Sequence, residues 1–226
     1  MQDKVLIVTG ALGALGKVVA ETALGRGARV AGIDHAPSQG PASADRIEIG
    51  GVDLSDPAQA TTAVEAAAKH FGRLDALINI AGGFAFETVG DGDVKTWQRM
   101  HALNVLTALN ASRAALPHLA ASKAGRIVNI GAMGALQAGN GMGPYAASKA
   151  GVHRLTEALA SEWKGKVTVN AVLPSIIDTK TNRADMPKAD FSKWVTPQEL
   201  AEVILFLASD AASGVTGALI PVGGRM

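Results

Sequence analysis

Val5-Leu6-Ile7-Val8 is an unbroken apolar run of strand length closed by Thr9-Gly10, and six more short, mostly apolar stretches that look like buried strands follow at 29–34, 47–49, 77–80, 126–130, 167–173 and 218–222. Such runs lack the polar alternation of a half-exposed strand, so both faces of each must be covered. Helical stretches lie between them at 57–71, 94–121, 145–163 and 197–208, and an earlier one follows Gly16 through Val18, Val19, Thr22 and Leu24. This alternation predicts an α/β fold, a doubly wound parallel sheet with helices on both faces. Asp56-Pro57 and Thr196-Pro197 mark two helix starts, an N-cap residue followed by proline at the first helical position. A single domain accounts for residues 1–226, because no repeat, linker or low-complexity tail divides them. The segment 175–195 breaks the pattern, mixing Pro, Asp, Lys and Met without a clear period. It reads as a substrate lid over a site or, failing that, as a plain surface loop.

Composition limits the function classes. Lys plus Arg number 21 against 20 Asp plus Glu, a net charge of +1, so no basic field draws a nucleic acid. Cysteine is absent, which removes disulfides, thiol nucleophiles and thiolate metal sites. His35, His70, His101, His118 and His153 are scattered without ligand spacing, so each reads as a surface or packed histidine and no metal is expected. Residues 1–3 carry no basic leader, and the longest uncharged stretch, 127–148, contains Asn129, Gln137, Asn140 and Pro144. Neither a signal peptide nor a membrane partner is expected, and the chain reads as cytoplasmic.

Gly10, Gly13 and Gly16 occupy the turn between the first strand and the first helix. In a doubly wound sheet that turn offers a pyrophosphate free helix N–H groups and a favourable dipole, although glycines also suit an ordinary tight turn. The second run ends in Asp34, eighteen residues past Gly16, where a carboxylate can accept hydrogen bonds from both hydroxyls of an adenosine ribose. Asp34 favours NAD. NADP is less expected, because the acid would repel a 2′-phosphate and the next residue is His35 rather than a cation. Asp34 is otherwise a solvated loop acid.

Tyr145 is the single tyrosine, and Lys149 follows it by one helical turn, on the same face of a helix. The bland reading is a helix-surface contact. The chemical reading is a general acid or base, since a nearby ammonium favours a phenolate and draws the phenol pKa towards neutrality.

Thr9-Gly10 with the glycine turn, Asp53-Leu54, Asn79-Ile80-Ala81-Gly82, Asn104, Tyr145-Ala146-Ala147-Ser148-Lys149 and Pro174 stand in the order of the short-chain dehydrogenase/reductase family. The resemblance covers essentially the whole chain. It implies a Rossmann fold and an NAD(P)-dependent oxidoreductase that passes hydride between a nicotinamide and a small-molecule substrate. Tyr145 would exchange a proton with the substrate oxygen or nitrogen. Lys149 would lower the phenol pKa and bind the nicotinamide ribose, and Asn104 would help to hold a relay water. Gly10, Gly13, Leu15, Gly16 and Asp34 would bind the cofactor, with Asp53 and Leu54 flanking its adenine. Asn79, Ala81 and Gly82 would line the groove, and Pro174, Ile177 and Thr179 would approach the nicotinamide. Asn79 and Asn104 have a plainer reading as ties between strands, and Asp53 as a turn cap. The alanine-rich helices 94–121 and 145–163 would pair between subunits, giving a homodimer or homotetramer, or could equally pack on the sheet.

Three positions depart from the family pattern: Ala132 stands where a serine is usual, thirteen residues before Tyr145; Gly13-Ala14 replaces a glycine at 14; and Ser175 follows Pro174. Gly13-Ala14-Leu15-Gly16, the loss of the serine and the run 172–194 are similar to the quinonoid dihydropteridine reductase branch. A quinonoid acceptor is electron-poor and needs less polarisation than a ketone. The tail Gly214-Val215-Thr216-Gly217 and Val222-Gly223-Gly224 resembles ordinary bacterial short-chain reductases instead. The alternative function is a dinucleotide-binding regulatory or scaffold protein whose catalysis was impaired with its serine.

Overall fold

In the computed structural model, which describes residues 1–225, the strands are β1 Val5–Thr9, β2 Arg29–Ile33, β3 Arg46–Ile49, β4 Ala76–Asn79, β5 Gly125–Ile130, β6 Val167–Pro174 and β7 Leu219–Val222. They form one parallel sheet in the order β3-β2-β1-β4-β5-β6-β7. The helices are α1 Ala14–Gly25, α2 Pro57–Phe71, α3 Val94–His101, α4 Thr107–Ala121, α5 Gly143–Glu162, α6 Lys180–Asp185 and α7 Pro197–Leu207. The chain is a single-domain α/β Rossmann fold.

Side chains alternate across each strand, and the sequence fills both faces. Val5, Ile7, Leu77 and Ile127 pack under α2, α4 and α5, while Leu6, Val8, Ile78 and Val128 pack under α1 and α7. Each fully buried aliphatic side chain is worth roughly 1.5–3 kcal/mol, which explains how a chain with only 4% aromatic residues builds its core.

The helix starts follow from local chemistry. Asp56 accepts the Ala58 and Gln59 amides and Pro57 opens α2, while Thr196 and Glu199 form a reciprocal capping box ahead of α7. The stretch expected as one helix over 94–121 is broken. Between α3 and α4 the residues Ala102–Leu106 form a π turn, which admits an extra residue and turns Asn104 into the protein, where it is 1% exposed.

Order in 175–195 also exceeds the expectation. A bridge joins Ile177 to Val195, Thr179 caps α6, and Trp194 and Val195 are buried. The C-terminal residues close over this segment: Ser175 donates its hydroxyl to the Gly223 carbonyl at 2.9 Å, and the Arg225 amide donates to the Lys193 carbonyl at 2.9 Å.

Candidate active site

The sheet order reverses direction between β1 and β4, and beyond their carboxyl ends lies a cleft of about 590 Å³. Thr9 builds its floor by accepting the Ile80 and Ala81 amides on its hydroxyl at 3.0 and 3.1 Å. Gly10 is left-handed, with φ +65°, and a Cβ there would lie 2.9 Å from the Ala81 nitrogen. At Gly16 a Cβ would lie 2.1 Å from the Gly10 carbonyl oxygen. Both glycines are therefore required by close backbone approach. Gly13 is the N-cap of α1; it supplies no side-chain cap, and the first turn holds no acid. The amides that open α1 face the cleft without a side-chain acceptor, an arrangement that suits an anionic pyrophosphate.

Asp34 sits at the end of β2, its Oδ2 accepting the Leu12 amide at 2.8 Å and its Oδ1 the Ala36 amide at 2.9 Å. Each oxygen retains a further acceptor site for a ribose hydroxyl. Gly10, Gly13, Leu15, Gly16, Asp34, Asp53, Leu54, Ala81 and Gly82 all line the cleft. None of the lining residues is Lys or Arg, although Lys17 reaches one of them, with its Nζ 3.4 Å from Gln39 Oε1. The shape and donor set thus fit a dinucleotide.

Four expected residues, Asn79, Pro174, Ile177 and Thr179, do not line the cleft, and a fifth, Asp53, lines it with its carboxylate partly engaged. Asn79 does not line the cleft; its Nδ2 donates to Ser112 Oγ at 3.1 Å and to Asn129 Oδ1 at 2.8 Å, tying β4 to α4 and β5. Asp53 lines the cleft, but one carboxylate oxygen holds a turn by accepting both the amide and the hydroxyl of Ser55 at 2.8 and 2.7 Å. Thr179 accepts the Asn182 amide at 3.1 Å as the cap of α6, which leaves its hydroxyl proton to donate. Pro174 ends β6 and Ile177 lies in the bridge to Val195, so neither lines the cleft.

On α5, Lys149 is buried and donates from Nζ to the Ile130 carbonyl at 2.7 Å. It adjoins the cleft, because a Cβ on Gly82 would lie 3.6 Å from that Nζ. Burial brings its pKa down to about 8 and pushes the Tyr145 phenol up to about 12. The expected lowering of the phenol by the ammonium is therefore corrected: desolvation opposes the charged form of both groups and dominates in the protein alone. Tyr145 is protonated at neutral pH, and no hydrogen bond within the described residues occupies its hydroxyl.

Asn104 organises this region with its side chain. Its Nδ2 donates to the Gly83 carbonyl at 3.0 Å and to Ser148 Oγ at 2.9 Å, while its Oδ1 accepts the Gly83 amide at 2.9 Å. Ser148 in turn donates to the Tyr145 carbonyl at 2.7 Å. Both amide protons are committed, so the side chain positions Gly83 and α5 and cannot donate to a water as well.

Ala132 is 5% exposed, and its amide donates to His153 Nε2 at 3.3 Å. Desolvation holds the His153 imidazole below the usual range, consistent with a neutral acceptor. Lys149 and His153, one turn apart on α5, thus pin the β5 exit at Ile130 and Ala132. His153 is the packed histidine that was one of its two readings, but its bond to the β5 exit was not foreseen, and Ser148 was given no role, although the spacing of both on the Tyr145 helix could have marked them. Sequence reasoning also passed over Phe84, whose ring meets the Tyr145 ring edge-on with centroids 5.0 Å apart, and no local pattern marked that residue.

Among the described residues no group of three or more His, Asp or Glu is arranged to hold a metal, and no helix is long and apolar enough to cross a membrane. The short chain dehydrogenase family matches residues 4–190. The chain is 33% identical over its full length to 2-(S)-hydroxypropyl-CoM dehydrogenase 3 of Xanthobacter autotrophicus, 97% of which is covered. It is 31% identical to the 3-oxoacyl-[acyl-carrier-protein] reductase of Escherichia coli, over 100% of this chain and 98% of that protein. Among solved structures, the carveol dehydrogenase of Mycobacterium avium in complex with NAD matches with a TM-score of 0.87 and 27% identity, covering 100% of this chain and 98% of the other.

Proposed function

The chain belongs to the short chain dehydrogenase family of oxidoreductases, and on that premise we propose that it is an NADH-dependent reductase of a small conjugated carbonyl, imine or quinonoid compound. The observation that carries the reading is a protonated phenol, Tyr145, one turn from a buried lysine that adjoins a dinucleotide-shaped cleft.

When bound, the dihydronicotinamide would supply a hydride, one proton with two electrons, to the substrate carbon. Tyr145 does the complementary work at the other atom: its O–H bond breaks as the proton passes to the substrate oxygen or nitrogen. Lys149 Nζ adjoins Gly82, and with a cofactor bound it would exchange the Ile130 carbonyl for a ribose hydroxyl. An ammonium so placed would stabilise the phenolate left on Tyr145. Asn104 and Ser148 hold the start of α5 and so orient the phenol.

Asp34 supports NADH over NADPH, since a second anion beside its carboxylate is unfavourable and no lining residue offers a cation. A homodimer or homotetramer, with 175–195 acting as lid, belongs to the same reading. A quinonoid dihydropterin rests on Gly13-Ala14-Leu15-Gly16, Ala132 and the 172–194 run alone. The relatives reported above are named for a hydroxypropyl-CoM and a 3-oxoacyl substrate, and they do not single out a pterin.

The test is NADH oxidation, followed by absorbance, over a panel of diketones, quinones, imines and quinonoid pterins. Tyr145→Phe should lose on the order of 10²–10⁴-fold in kcat while binding NADH as before. NADPH should be the poorer donor. Full turnover in Tyr145→Phe would sink the assigned role, and NADH binding without turnover of any panel member would favour a binding protein.

A further inference from the structure

The reductase reading leaves open how a substrate is oriented, and the chain gives an unusual starting point. With Ala132 in the serine position, Tyr145 is the one side-chain hydroxyl assigned to the reacting oxygen. A carbonyl held by a single hydrogen bond can swing about it, so a productive pose requires a second contact. Phe84 is placed to give one. Its ring meets the Tyr145 ring at 5.0 Å with 70° between planes, yet 56% of the residue is exposed.

The loop that carries Phe84 is fixed on both sides. Ahead of it, Gly83 is clamped by the paired hydrogen bonds to Asn104. Behind it, the Glu87 amide donates to the Gly141 carbonyl at 2.8 Å, and the Phe86 ring lies over Gly141, where any Cβ would run into it. Gly141 takes φ +69°, a left-handed backbone that suits glycine. The two anchors reach the segment that opens α5, so Phe84 and Tyr145 are held against each other by a common frame. An exposed aromatic ring, held by its neighbours and touching the acid, is a surface that an incoming apolar group would cover.

We infer that Phe84 is a specificity-determining residue whose free ring receives a planar apolar substituent on the carbonyl carbon, making aryl or alkenyl carbonyls the substrate class in place of sugars or charged keto acids. Conjugation in such substrates also lowers the demand for polarisation, which agrees with Ala132. An aryl substituent would stack offset or edge-on with the ring, and its apolar area would leave water.

The inference rests on the reductase reading, and two readouts separate their failures. Wild type and Phe84→Ala would be compared with NADH on 1-phenyl-1,2-propanedione and on 2,3-butanedione. Affinity of the NAD-saturated protein for 1-phenyl-1,2-propanedione would be measured by calorimetry. The expected result is about a tenfold fall in kcat/KM for the phenyl dione, mainly through KM, with butanedione within twofold and the measured affinity falling in parallel. Equal changes for both diones, or none, would overturn the inference. Should wild type reduce neither dione, the reductase reading fails for them, while the binding arm still decides. Tenfold weaker binding in Phe84→Ala then supports the ring's role, and unchanged or undetectable binding overturns it.

Discussion

On the β1–β2 side of the cleft the groups presented are mainly backbone, the amides that open α1 and the bare Cα atoms of Gly10 and Gly16, with one side chain among them, the Asp34 carboxylate, itself held by the Leu12 and Ala36 amides. On the β4–β5 side they are side chains from separate elements: Tyr145 and Lys149 from α5, Asn104 from a π turn, and Phe84 from the loop after β4. A site made of backbone has one permissible shape, fixed by where no Cβ can go. A site made of side chains is adjustable, because each can be exchanged without moving the chain. Cofactor recognition should therefore respond to mutation in an all-or-none manner, and the substrate side by degrees.

Gly16→Val gives the largest expected effect. Its Cβ would lie 2.1 Å from the Gly10 carbonyl oxygen, a contact that neither α1 nor the turn can relieve without separating. The outcome should be loss of several kcal/mol of stability, in the range of severe overpacking, together with loss of NADH binding. Thermal melts and NADH fluorescence titration would read both. A variant that bound NADH within threefold of wild type would break the claim that the turn has a single shape.

Lys149 tests the side-chain half through stability and pH. Its pKa falls from 10.5 in the free state to about 8 in the folded protein. Between those values the unfolded chain holds a proton that the native chain has shed, so stability rises with pH through this window. The rise is on the order of 3 kcal/mol for a shift of this size in a buried group. Tyr145 acts oppositely and later: its pKa rises from 10.0 to about 12, so the native state keeps a proton the unfolded chain loses and stability falls above pH 10. Lys149→Met should abolish the rise from pH 8 to 10 in urea unfolding. The slope matters more than the level, because the variant also loses the bond to the Ile130 carbonyl. An unchanged slope would show that the amine is not desolvated.

These two halves were not equally legible in the sequence. The glycine turn and Asp34 could be read because their demands are local: a bend, a helix start and an acid at the end of the next strand. The helix over 57–71 was read to both ends, since Asp56 and Pro57 start it and Gly72, with φ +74°, stops it. The break in 94–121 was invisible, because a π turn adds one residue without any change of composition, and what holds it open is Asn104 reaching Gly83 and Ser148 across the fold. Asn79 shows the converse. It sits in the expected motif, yet its side chain serves the sheet, because a strand residue's facing is set by pairing with β5 and packing on α4. The phenol and lysine were found by spacing, but the direction of the phenol's shift was misjudged and the lysine's was not foreseen, since burial is a tertiary property. The order in 175–195 likewise comes from a bridge and from Trp194 and Val195 entering the core.

Ala132→Ser offers the smallest and most discriminating change. The residue lies at the β5 exit, pinned by the His153 contact to its amide and by Lys149 at Ile130, so a new hydroxyl would be carried on a fixed backbone. Removing one such donor from an enzyme built around it costs about 10²–10³ in rate; adding one to a site that developed without it should return less, about tenfold. The gain should fall on an unconjugated ketone such as cyclohexanone, whose oxygen must be polarised, while a conjugated dione should change less than threefold. Parallel kcat measurements with NADH on the two would decide it. An equal gain for both would mean that the serine position governs reactivity generally, and that the substrate side is as fixed as the glycine turn. A gain confined to the ketone would mean that Ala132 and Phe84 divide one task, the hydroxyl's polarising role having given way to a substrate that polarises itself and is aligned by the ring.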